Sequence, residues 1–175
     1  MEIRAKCVFD YESVKALSHT AFYGKKNPGK TLIFSFIFFG FLTVLCLLGM
    51  RGDLDISHVM VWVPVMVLIL NCFFHFIFPR IQYKGLHRMK LLENEYIFCE
   101  EHIRVFSRGE EYNGEAELRY TMIPKVMESS EYYFIYQSNN QVFVVDKATV
   151  TNGSISELSE KLKRSIKGKY IICRY

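Results

Sequence analysis

The chain has 175 residues, half of them hydrophobic and 23% charged. That balance is too apolar for one soluble domain and too polar for a bundle of spans, so two regions of different character share it. A formal charge of +4 without a run of five basic residues points to a membrane surface before nucleic acid, and five scattered cysteines without a CxxC pair read as small buried hydrophobes in a reducing compartment rather than as a disulfide framework or a metal site.

At the amino end (residues 1–30), Ile3, Ala5, Cys7 and Phe9 alternate with other residues at the period of a half-buried strand. Asp10 is placed to cap a short helix through about Tyr23, with Val14, Leu17 and Ala21 at helical spacing, before Gly24 and Asn27-Pro28-Gly29 break it. Two positions are open to this helix: the membrane interface, or the surface of the domain downstream.

Residues 31–79 read as a two-helix transmembrane hairpin. Leu32 to Met50 contains nineteen residues without a charge, about 28 Å of helix against a hydrocarbon core of roughly 30 Å. Val59 to Phe78 gives twenty more, interrupted by Pro64, Asn71 and His75. The connection, residues 51–58, is short enough to force antiparallel neighbours. Lys25, Lys26 and Lys30 precede the first span and Arg80, Lys84, Arg88 and Lys90 follow the second, whereas the turn sets Arg51 against Asp53 and Asp55. Basic flanks stay cytoplasmic, so the expected address is the inner (cytoplasmic) membrane with both termini in the cytosol. The first apolar run begins thirty residues in and is longer than a signal-peptide core, so it is expected to be retained.

Residues 80–93 extend the second helix as a basic juxtamembrane segment. Residues 94–175 then show short alternating or aromatic runs: Glu95 to Cys99, Ile103 to Phe106, Ala116 to Tyr120, Lys125 to Glu128, Tyr132 to Gln137 and Gln141 to Asp146. Ser107-Arg108-Gly109, Asn113-Gly114, Ser129-Ser130 and Ser138-Asn139-Asn140 separate them with turn chemistry, which predicts an antiparallel meander. Ser154 and Glu157 have capping-box spacing, and Ile155, Leu158, Leu162 and Ile166 form one apolar helical face. Tyr170 to Cys173 adds a short strand. The predicted domain is therefore α+β: one sheet of about six or seven strands capped by a carboxy-terminal helix. An isolated amino-terminal strand has nowhere to satisfy its backbone, and the hairpin returns both flanks to one side, so residues 2–9 are expected to join that sheet.

Such a sheet and helix resemble the pleckstrin-homology-like architecture. More specifically, ELRYTMIPKVMESSEYYFIYQSNNQVFVVDK, from Glu117 to Lys147, resembles the carboxy-terminal domain of the YcxB-like family of bacterial membrane proteins. The marks are Tyr120-Thr121-x-Ile123 leading to Val126 and Glu128, the aromatic strand Tyr132 to Tyr136, the Asn140-Gln141 turn, and Lys147. Members of that family tend to carry Pro-Lys where this chain has Asp146-Lys147. The resemblance implies the layout of the chain and brings no catalytic residue or ligand.

No metalloprotease, phosphate-loop or nucleophile-elbow motif is present. Glu100-Glu101 and Glu110-Glu111 fall at predicted turns, and His19, His58, His87 and His102 read as surface or interface residues. No catalytic set, cofactor or metal is implied. Asn71 and His75, four apart, form the one intramembrane polar pair, and Asn71 is expected to bond Ser35 or a carbonyl across the hairpin. Arg80, Lys84, Arg88 and Lys90 are the candidate surface for membrane lipids, anionic headgroups in particular, or for a protein segment. Three functions fit: a non-enzymatic membrane-anchored interaction module, a small homo-oligomeric channel or transport accessory, and, with least support, a membrane-associated enzyme. Nucleic acid is not an expected partner.

Overall fold

The computed structural model describes residues 2–24, 26–51, 58–86, 92–109, 113–138 and 141–173. Strand β1 (Ile3–Val8) buries Ile3, Ala5 and Cys7 and exposes the residues between them, as the two-residue period requires. Helix α1 (Tyr11–Tyr23) begins on a reciprocal cap: Asp10 Oδ1 accepts from Ser13 N at 2.8 Å, and Asp10 N donates to Ser13 Oγ at 3.1 Å. It ends where Gly24 takes φ +60°, a conformation that costs a side-chain-bearing residue strain.

Helix α2 (Pro28–Arg51) starts with proline in its first turn and with Asn27 Oδ1 accepting from Lys30 N at 3.0 Å. Helix α3 (His58–Cys72), a π turn over Phe73–Ile77 and helix α4 (Phe78–Gly85) run on as one rod packed beside α2. Pro28–Arg51 and Met60–Gly85 are each long and apolar enough to cross a membrane. Their large side chains, Ile33, Phe34, Ile37, Phe41, Trp62 and Ile69 among them, point outward, the opposite of a soluble core helix. The expected juxtamembrane helix over 80–93 is shorter than its basic pattern suggested. Helix α4 stops at Gly85, and Arg88 and Lys90 lie outside the described residues.

Strands β2 (Glu93–Phe98), β3 (His102–Arg108) and β4 (Asn113–Arg119) follow as an antiparallel meander. Strand β1 completes that sheet, in the order β1-β2-β3-β4, with Ile3 opposite Phe98 and Val8 opposite Glu93. The amino-terminal strand therefore joins the downstream domain across the whole helix pair. A second sheet contains β5 (Lys125–Glu128), β6 (Tyr132–Tyr136), β7 (Val142–Asp146) and β8 (Lys169–Ile172) in the order β7-β6-β5-β8. The expected single sheet of six or seven strands is thus two sheets of four. The meander breaks after β4, where a 3₁₀ turn at Tyr120–Met122 precedes Pro124 and takes the chain out of the ladder.

Helix α5 (Ile155–Ser165), with its Ser154–Glu157 capping box in place, is the crossover that returns β8 parallel to β5. A pair of backbone hydrogen bonds between Arg4 and Thr151, 2.9 and 2.7 Å, links the sheets. One core serves both: Ile3, Tyr96, Phe98 and Val105 from the first sheet meet Val126, Phe134, Val144 and Leu158 from the second sheet and α5. Strand β6 is central and buried on both faces, which explains its unalternating YYFIY sequence.

Candidate functional site

The polar residues of greatest interest gather where α1 docks on the second apolar rod. Pro79 has no N–H to offer the His75 carbonyl four residues earlier. That carbonyl accepts from outside the helix: His19 Nε2 lies 3.1 Å from His75 O. The imidazoles of His19 and His75 stack with centroids 4.6 Å apart and planes at 21°, and Tyr23 Oη lies 3.3 Å from His75 Nδ1. A carbonyl can only accept, so His19 donates through Nε2–H, whereas the direction of the bond between Tyr23 Oη and His75 Nδ1 follows the His75 tautomer.

The rest of the α1 face extends the joint. Phe22 stacks on Phe74 at 4.7 Å, Tyr11 meets Tyr83 edge-on at 5.9 Å, and Ser18 Oγ donates to Gln82 Oε1. Between the two positions open to α1, the structure puts it against α4 and β6 at once. Burial lowers the pKa of His19 below the ordinary imidazole value; Lys15 adds to that, and the His75 carbonyl and Glu12 oppose it. A cleft of about 290 Å³ opens beside it, between α1 and the β5–β6 turn, lined by Glu12, Lys15, His19, Ser129, Glu131 and Tyr132.

Of the residues anticipated from sequence, His75 is the one drawn into this joint. Asn71, one turn earlier, bonds within its own helix, its Nδ2 donating to Val67 O at 2.8 Å, and has no bond across the helix pair among the described residues. A side chain so placed satisfies itself locally. Arg80 and Lys84 are exposed on α4. His19 was legible only as an isolated histidine, although Pro79 at four residues from His75 was a usable signal for a carbonyl without its usual donor four residues on.

A second constellation, also unanticipated, lies inside the β domain. Lys147 Nζ donates to Glu128 Oε1 at 2.8 Å and to Ser129 O at 2.6 Å. Tyr170 Oη donates to Glu128 Oε2 at 2.6 Å, and Ser159 Oγ to Glu128 Oε1 at 3.1 Å. Tyr133 Oη bonds Ser159 Oγ at 2.6 Å, and its ring lies beneath the Lys147 ammonium. The side chains of Glu128 and Lys147 are only 13% and 10% exposed. Burial pushes the Glu128 carboxyl up, but the hydrogen bonds from Lys147, Tyr170 and Ser159 outweigh it and hold it below the ordinary carboxylate value. Both carboxylate oxygens are occupied, by donors from three elements, the geometry of a clamp rather than of a base awaiting substrate. Asp146 caps the turn that carries Lys147 by accepting from Ala148 N at 2.8 Å.

Among the described residues no group of three or more His, Cys, Asp or Glu side chains could hold a metal ion. No curated protein and no solved structure matches the chain. Residues 100–162, which supply Glu128, Tyr133, Lys147 and Ser159 to the clamp, match the family model of the YcxB-like protein family.

Proposed function

We propose that the chain is a membrane-anchored, non-enzymatic interaction module that presents a pleckstrin-homology-like domain at the cytosolic face of the cell membrane. The observation that carries this reading is the pairing of β1 with β2. One sheet is assembled from segments before and after the two apolar helices, so the β domain cannot move away from the bilayer on a linker. Two four-stranded sheets around one core, with α5 packed into it between β7 and β8, support the pleckstrin-homology-like assignment. Lys26, Lys30, Arg80 and Lys84 are exposed where the apolar helices meet the domain, and basic residues there favour the cytoplasmic side and anionic headgroups, at about 1 kcal/mol per charge.

The ligand is then an anionic headgroup, or a protein segment, brought to the surface that exposes Arg80 and Lys84, which Arg88 and Lys90 follow in sequence. The test uses the full chain extracted with its native lipid annulus. Replacing all four residues by Glu is expected to lower the anionic share of co-purifying phospholipid several-fold, while a protease applied to right-side-out cells leaves the β domain intact. An unchanged lipid profile removes the headgroup reading, and cleavage of the β domain from outside removes the cytosolic one.

A further inference from the structure

We propose that the stacked His19–His75 pair makes the docking of α1 on the second apolar helix proton-sensitive: neutral imidazoles keep the joint closed, and protonation releases α1 from the rod. This goes beyond the interaction-module reading and holds whether or not the domain binds lipid.

A protonated His75 ring has no acceptor left, so its Nδ1 can only donate to the Tyr23 hydroxyl, which must then turn its own proton elsewhere. His19 keeps its bond to the His75 carbonyl when protonated, but its ring lies 4.6 Å from its partner, and two like charges at that spacing repel. The half-buried site also resists one charge: burial already lowers the His19 pKa.

The other groups facing the pair do not reverse this sign. On α1, Glu12 favours the imidazolium and Lys15 opposes it, and the two are bonded to each other at 3.0 Å. On the rod, Cys72 faces Tyr23. From the β5–β6 turn, Glu131 and Tyr132 line the cleft beside His19, with Glu131 exposed to solvent, where its charge is screened. A group whose pKa is lowered in the closed joint binds protons preferentially in the open one. Closure is therefore complete above the ordinary imidazole value, near pH 6.5, and is lost as the pH falls below it.

The consequence is mechanical. Helix α1 is joined to β1 by Phe9 and Asp10 alone and also touches β6, so releasing it loosens one of the attachments between the apolar helices and the β domain.

Hydrogen exchange of the full chain in nanodiscs, corrected for the intrinsic pH dependence of exchange, tests the proposal. Amides of residues 14–23 are expected to lose about tenfold of their protection between pH 7.5 and 5, while β6 stays protected. His19→Gln keeps an N–H donor and His75→Asn keeps an acceptor, yet neither titrates, and in the double variant the loss should disappear. Protection of α1 that is equal at both pH values in the unaltered chain overturns the proposal. So does a pH response that survives in the double variant.

Discussion

Lys147 Nζ and Glu128 Oε1 lie 2.8 Å apart beneath α5, and the pair holds together elements that are distant in sequence. Removing one member leaves the other charge buried without its partner. Lys147→Met is expected to cost about 3 kcal/mol, whereas Glu128→Leu combined with Lys147→Met should recover much of it, because no uncompensated charge remains. Thermal unfolding of the full chain in detergent, followed by near-ultraviolet circular dichroism, measures both; equal losses in the single and double variants would contradict the assignment.

Acid should act on the same clamp. The Glu128 carboxyl is held below its ordinary value, so the native state binds fewer protons there than the unfolded chain does. Its contribution is fully present above about pH 4.3, the ordinary Glu value, and is lost as the pH falls through the lower native value. The expected outcome is a melting temperature that drops more steeply below pH 4 in the unaltered chain than in Glu128→Gln.

Gly168 immediately precedes β8. A Cβ there would stand 2.3 Å from Pro124 O and 2.5 Å from Ile123 O, both backbone atoms with little freedom to retreat. Gly168→Ala is expected to cost about 3 kcal/mol and to detach β8 first, seen as faster hydrogen exchange at Lys169–Ile172 than in the rest of the second sheet.

The donor missing at Pro79 can be examined with a double-mutant cycle. His19→Phe removes the imidazole donor from the His75 carbonyl and should weaken α1 docking by about 1–2 kcal/mol. Pro79→Ala supplies a backbone N–H to the same carbonyl, so His19→Phe should cost less in that background. Local exchange free energies of α1 amides give the four corners of the cycle; strict additivity would show that the two donors do not share an acceptor.

Ala5 is fully buried opposite Tyr96 in the β1–β2 pair. Ala5→Asp puts a carboxylate into the core and is expected to unfold the β domain while leaving the two apolar helices paired. Rapid proteolysis of residues 93–173 with the apolar helix pair still protected is the anticipated pattern. Survival of the domain would mean that β1 is dispensable.

Much of the architecture was legible because it is local. The Asp10 and Ser154 caps, the break at Gly24, the two apolar runs and the apolar face of α5 each depend on residues within a few positions of one another, and each stands where its pattern put it. The split into two sheets was not legible: turn residues mark where strands end and say nothing about which edge the next strand takes. The site was hidden for the same reason. His19 and His75 are 56 residues apart, and Glu128 reads as one more strand-end carboxylate until Lys147, Ser159 and Tyr170 close around it.

The sequence by itself determined that two stretches of this chain seek an apolar environment and that a cap-bounded α+β segment follows them, because hydropathy and periodicity act over single helices and strands. Only the tertiary structure decided that β1 closes onto β2, that His19 donates to the carbonyl Pro79 cannot serve, and that the Glu128 carboxylate is fully engaged. Those are meetings between distant segments, fixed by backbone and side-chain groups that must find partners once they leave water.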